Sequence, residues 1–275
     1  MTGAADRPKR KRRPAAEAYI LPRHPSEVDR LDVQHFAVRA AMRGNYVAPV
    51  NRPSRVLDVG CGTGQWAYEI CAEFPDSMVV GLDLRPSKPS PPPNYRFVEG
   101  NVLQGLPFAD GRFDFVHQRL LISGIPLQRW PAEVAELVRV TRPGGWIELM
   151  EAFPGLSPEG PATRRLWDAF RQLGRTVGHD TFGHVFRSLD RYLAEAGAVG
   201  VVSREVVLPI GKWGGRVGAW LTCDVRSLFT RLIDVFQAAG LSETECRELI
   251  EAMFREFEEL HTSIRNRVVV GCRPA

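Results

Sequence analysis

The stretch Arg55-Val56-Leu57-Asp58-Val59-Gly60-Cys61-Gly62-Thr63-Gly64-Gln65-Trp66 constrains this chain most, because a short apolar run ends there in glycines at every second position. Val56, Leu57 and Val59 form too short a run for a helix, and β-branched residues bounded by glycine favour a buried strand. Residues 55–59 are therefore expected to form a first, central strand. Glycine serves where φ must be positive or where a ligand approaches the backbone without meeting a Cβ, and Gln65 to Phe74 reads as a helix. The expectation is a strand, a tight turn, and a helix N-terminus that faces a ligand. The dinucleotide fingerprint requires glycine where Gln65 stands, so the stretch departs from that pattern.

Further strand signals follow at regular distances. Met78 to Asp83 reads as the second strand, and its terminal carboxylate lies 23 residues beyond Gly60. A carboxylate at the C-terminal end of a strand can accept both hydroxyls of a ribose. The segment from Arg85 to Asn94 holds five prolines and must be a loop. Tyr95 to Val102 reads as a third strand and its exit turn, Gly111 to Arg119 as a turn and fourth strand, and Trp146 to Glu151 as a fifth strand after a helix at 131–140. Strands alternating with helices argue for an α/β, doubly wound, mostly parallel sheet with a ligand at the strands' C-terminal ends. Later come helical patterns at 161–175 and 183–197, a strand at 199–208, helices at 215–239 and 243–261, and a last strand at Val268–Val270.

With 44% hydrophobic residues in 275, the chain can bury a substantial core. No apolar run approaches the roughly 18 residues of a membrane span, and the N-terminus lacks an apolar stretch before a cleavage site, so a cytoplasmic globular protein is expected. Five scattered cysteines without a Cys-x-x-Cys pair point to neither a disulfide framework nor a metal site. Arg7, Lys9, Arg10, Lys11, Arg12 and Arg13 account for more than the whole net charge of +4 and leave the body at −2. That argues against a nucleic-acid face and for a disordered basic tail over 1–14. Ser26 and Asp29 have capping-box spacing, and Val28, Leu31, Phe36 and Ala40 recur at helical intervals, so 27–43 is expected to be an amphipathic helix within an arm over 15–45.

Asp58 followed by Gly60-x-Gly62-x-Gly64 resembles motif I of the class I S-adenosylmethionine (SAM) methyltransferases. Phe113-Asp114-Phe115-Val116 matches that family's fourth-strand pattern, and Pro143-Gly144-Gly145 its turn into strand five. Tyr19-x-Leu21-Pro22, Glu27 and Arg30-Leu31-Asp32-x-Gln34-His35 resemble the N-terminal segment of LaeA-type regulators of secondary metabolism, in which this segment packs beside the cofactor cleft. The resemblance implies a seven-stranded Rossmann-like sheet and SAM as cofactor. It implies that Gly60, Gly62 and Gly64 let the backbone approach SAM, that Asp58 serves its amino group, and that Asp83 and Leu84 border the ribose. Asn101 and Val102 would bound the adenine, although many relatives carry Asp at the position of Asn101. Gln118 would offer its backbone carbonyl to the methionine amino group.

Methyl transfer is an in-line displacement on a cofactor that already contains the activation, so the protein must align, exclude water and take up a proton where the acceptor releases one. His117, His179 and His184 are the candidates for that proton, and Tyr19 could reach the cleft from the arm. Residues 212–262 together with 153–181 are expected to cap the domain over 46–275, with Phe153, Trp167, Phe170, Phe182, Phe186, Trp213, Trp220 and Phe229 as a candidate acceptor wall or as core. The expected partner is a small apolar or aromatic natural-product-like molecule. A prenylated indole-type acceptor would bring teleocidin-type C-methylation, with aromatic faces stabilising a carbocation. The alternatives are a methyltransferase for protein or RNA that docks through the tail, and a non-catalytic SAM-binding regulator. An arm with so little core of its own could also dock on a second copy of the chain.

Overall fold

The computed structural model describes residues 25–85 and 89–275, with side chains from Arg30 onward. The basic tail, Tyr19 and the Tyr-x-Leu-Pro segment lie outside the described residues. In chain order the elements are α1 (Pro25–Met42), β1 (Arg55–Val59), α2 (Gln65–Glu73), β2 (Met78–Asp83), β3 (Tyr95–Glu99), β4 (Phe113–Arg119), α3 (Trp130–Val140) and β5 (Thr141–Ser157). They continue with α4 (Pro161–Thr176), α5 (His184–Glu195), β6 (Val199–Pro209), α6 (Gly215–Arg231), α7 (Ile233–Ala238), α8 (Glu243–Glu259) and β7 (Ser263–Cys272).

The seven strands form one sheet in the order β3-β2-β1-β4-β5-β7-β6. Strands β1 to β5 pair in parallel, and β7 inserts antiparallel between β5 and β6. Side chains alternate across a strand, which sorts the core into two layers. Val56 and Phe115 pack with Trp66, Ala67 and Ile70 of α2, whereas Leu57 and Val116 pack with Leu137 of α3 and Leu189 of α5. The β1–β2 and β1–β4 crossovers place the carboxyl ends of β1, β2 and β4 side by side, where an open α/β sheet binds its ligand.

The cap is a third cluster. Trp167 of α4, Leu221 and Phe229 of α6, Phe236 of α7 and Met253 and Phe257 of α8 bury against one another and against Ala37 and Val38 of α1. Glu256 of α8 seals the N-terminus of α4 by accepting from the amides of Ala162 and Thr163, each at 2.8 Å, a favourable place for a carboxylate. Two expectations change. Strand β5 continues to Ser157 and, after an irregularity beyond Ala152, pairs with β7 again at Leu156 and Ser157, so the start of the expected cap segment belongs to the sheet. The single helix expected over 215–239 breaks at Leu232 into α6 and α7. The apolar period survives the break because Leu232, Ile233 and Phe236 all turn into the cluster that holds Phe229.

Candidate cofactor cleft

At the end of β1 the chain enters the loop with φ of 68° at Gly60, 54° at Gly62 and 77° at Gly64, the left-handed region that a side chain resists. A Cβ on Gly60 would also lie 2.6 Å from the side chain of Leu121, so the loop and the segment after β4 meet at van der Waals contact. Asp83, at the end of β2, faces this loop: its Oδ2 accepts from the amide of Gly62 at 2.8 Å and its Oδ1 from that of Leu84 at 2.6 Å. Burial pushes the Asp83 carboxyl upward, against the amides of Gly62 and Leu84, which favour its charge. Asn101 precedes a short turn over Val102–Gln104, and its Oδ1 accepts from the amide of Leu103 at 3.0 Å. That oxygen keeps a second lone pair, and the side-chain NH2 has no partner among the described residues.

Across β1, β4 and β5, Asp58, His117 and Glu148 stand in register as a buried row. His117 is 2% exposed, its Nδ1 lies 2.9 Å from Asp58 Oδ1, and its ring stacks on Trp66 at 3.8 Å between centroids. Glu148 reaches the other way, where its Oε2 accepts from the amides of Val47 and Ala48 at 2.8 Å each. The histidine expected as a base is thus enclosed at the end of β4. Its ring is held by Asp58 and covered by the indole of Trp66. His179 is buried with Nδ1 3.2 Å from the carbonyl of Ile125, the same carbonyl that accepts from Trp130. His184 is exposed at the start of α5. The side chain of Gln118 is fully buried on the opposite face from His117, and neither of its amide atoms has a partner among the described residues.

Helix α1 roofs the glycine loop. Leu31 lies 3.5 Å from where a Cβ of Gly62 would be, and Thr63 donates to Asp32 at 2.7 Å. Arg30 and Asp224 of α6 form an ion pair with both side chains buried, and Gln34 adds a hydrogen bond to the same carboxylate. His35 reaches Arg119 at the end of β4, with 2.7 Å between Nδ1 and Nη2. The helix is therefore not the simple amphipathic element expected, because buried Arg30 and His35 meet polar partners on α6 and β4. Opposite this roof, the chain turns at Leu120 with φ of 56°, and Glu151 of β5 fixes the turn by accepting from the amides of Leu121 and Ile122. Sequence reasoning missed this role of Glu151, because the amides it holds lie 30 and 29 residues earlier in the chain.

A family model described as a methyltransferase domain matches residues 56–145, the span from β1 into β5. Over 208 residues the chain is 33% identical to methyltransferase str3 of Strobilurus tenacellus, a match covering 72% of this chain and 73% of that one. The chain belongs to the methyltransferase family. This methyltransferase is also 33% identical over 207 residues to the secondary metabolism regulator laeA of Aspergillus flavus, covering 71% of its own length and 54% of the regulator's. Among solved structures, phosphoethanolamine N-methyltransferase 2 of Haemonchus contortus, in complex with phosphomonomethylethanolamine and S-adenosylhomocysteine, superposes with a TM-score of 0.51. That match has 15% identity and covers 91% of this chain and 59% of the other, a likeness of fold.

The methyltransferase depends on SAM, and its described residues fit that cofactor. Three left-handed glycines expose backbone at the carboxyl end of the central strand, and the Asp83 carboxylate stands beside them. Among the described residues no helix is long and apolar enough to cross a membrane. Three of the eight aromatics are buried core, Trp167 stacking on Phe229 within the cap cluster and Phe186 meeting Phe153 edge to face, and Phe153, Phe170 and Trp220 are half-buried. Phe182 and Trp213 are the exposed members of that set, at 56% and 39%.

Proposed function

We propose that the enzyme methylates a small apolar or aromatic acceptor of the natural-product kind. The observation that carries this reading is the roof: α1 lies over the glycine loop and is pinned to the cap through Arg30 and Asp224, which suits an enclosed small acceptor better than a folded macromolecule. The similarity to str3 and laeA supports a place in secondary metabolism. Bound SAM supplies a methyl group already activated on a sulfonium. The chain then has to hold, align and exclude water. In this reading Gly60, Gly62 and Gly64 admit the cofactor to the backbone, Asp83 and Leu84 border the ribose, Asn101 and Val102 border the adenine, and Asp58 and the carbonyl of Gln118 take the amino group. Tyr19 stays the candidate for a hydroxyl reaching the acceptor from the arm, to be tested by Tyr19→Phe. C-methylation of a prenylated indole is the narrowest form of the reading, and the burial of Trp167, Phe186 and Phe229 leaves fewer aromatic faces for it.

The test is release of S-adenosylhomocysteine from labelled SAM with a panel of small acceptors, with the labelled product identified. Asp83→Ala is expected to weaken S-adenosylhomocysteine binding by about 1.5–3 kcal/mol, the range for hydrogen bonds to a charged group. Gly62→Val is expected to weaken it further, because a branched side chain resists positive φ. Normal binding by a folded Gly62→Val protein would refute the site. A second reading, a regulator that binds SAM without turnover, is favoured by the similarity to laeA. Tight cofactor binding with no methyl release to any acceptor class would select it.

A further inference from the structure

On β4, residues two apart project to the same face, so Arg119 shares the face of His117 and Asp58. Val59 pairs with Gln118, which sets Arg119 across from Gly60, the first glycine of the loop. Its guanidinium touches His35, and among the described residues no carboxylate lies within 4 Å of it. The acids whose fields reach it are Asp58, Glu69 and Glu148, while burial works against its charge. A half-buried cation without its own anion is costly to keep unless a ligand supplies one.

His35 explains how the guanidinium is held. Arginine only donates, so His35 Nδ1 must accept, and the ring is neutral: burial first, then the charge of Arg119, push its pKa down to about 4. The proton therefore sits on Nε2, which faces Glu69 Oε1 at 3.1 Å without hydrogen-bond alignment, and Glu69 forms an ion pair with Arg39 at 2.8 Å. The line runs from α2 through α1 to β4.

The methionine end of SAM carries an ammonium and a carboxylate on one carbon. Asp58 uses Oδ1 on His117, and no described residue donates to its Oδ2. An acid and a base thus stand on one face of adjacent strands, beside the glycine that would admit the ligand. We propose that Arg119 is the group that binds the carboxylate of the cofactor's methionine end, with His35 and Glu69 as positioning residues. The fork of a guanidinium matches a carboxylate with two parallel hydrogen bonds, which a lysine in its place would not reproduce. The inference rests on the reading that the cofactor lies over Gly60 to Gly64.

The experiment measures equilibrium binding of S-adenosylhomocysteine and of its decarboxylated counterpart, the same nucleoside thioether with an aminopropyl chain. The wild-type protein is expected to prefer S-adenosylhomocysteine by about tenfold or more, the effect of a charged hydrogen bond. Arg119→Met should erase that preference by losing S-adenosylhomocysteine alone, and Arg119→Lys should retain part of it. His35→Ala, which removes the anchor but leaves the charge, should reduce the preference without abolishing it, and an unchanged preference there would overturn the positioning role. If Arg119→Met does not fold, Arg119→Lys decides: a preference equal to wild type overturns the proposal. It is also overturned if folded Arg119→Met keeps the preference or loses both ligands alike, or if the wild type does not discriminate. A wild-type protein that bound neither nucleoside would instead bring down the cofactor site itself, and the inference with it.

Discussion

His117 lies at the end of β4 with its ring stacked on Trp66 and its Nδ1 2.9 Å from Asp58 Oδ1. Its position at the end of β4 is where a substrate-facing base is wanted, but what it meets depends on Asp58, Trp66 and Glu148, brought together from three other elements. His117→Leu is expected to remove the hydrogen bond to buried Asp58 and to cost about 1.5–3 kcal/mol of stability. Denaturant unfolding measures this, and unchanged stability with a large fall in turnover would restore the catalytic reading. Glu133 of α3 gives a second expectation. It is 4% exposed, its Oε1 lacks a partner among the described residues, and burial, with a smaller push from Glu136, raises its pKa from 4.5 to about 8. Between those values the folded state holds a proton that the unfolded state has released, so this contribution is present below pH 4.5 and fades as pH rises through 8. Glu133→Gln should therefore match wild type near pH 4.5 and melt higher at pH 8, by about 2–4 °C for each kcal/mol gained. A melting difference that does not change with pH would contradict the assignment.

At the level of elements, the strands of the cofactor half were legible because each carries its own local signal. Glycine punctuation marked β1, a terminal carboxylate marked β2, and prolines marked the loop before β3. What was hidden is set by partners far apart in sequence. The extension of β5 follows from its pairing with β7, the break between α6 and α7 from a shared apolar cluster, and the burial of Arg30 from Asp224, 194 residues away. The same limit applied to the glycine loop: its conformation was readable, but the helix over it was readable only as a helix. Asp224→Ala should remove the buried ion pair that ties α1 to α6 and lower the stability of the protein. Hydrogen exchange should then rise in residues 30–42 before it rises in β1 or β4. Equal protection of α1 in the variant and wild type would show that the clasp does not hold the roof.

For the molecule as a whole, the fold class follows from the alternation of strands and helices, while the relation of the cap to the sheet does not. The cap could have been a separate body on flexible joints. Instead, Leu156 pairs with Ile264 and Leu208 pairs with Ile264 from the other side, and Leu156 and Leu208 are buried in the cap cluster. The rungs of the sheet thus continue into the layer that covers it. Melting the cap alone would have to break hydrogen bonds of β5, β6 and β7 while the rest of those strands stayed paired, so heat should dismantle both layers in one step. Scanning calorimetry is expected to give a calorimetric enthalpy equal to the van't Hoff enthalpy, and two resolved peaks would show the layers to be independent. Within such a unit, a cofactor that tightens the glycine loop should raise the melting point of the distant cap helices by the same number of degrees as that of the strands it touches.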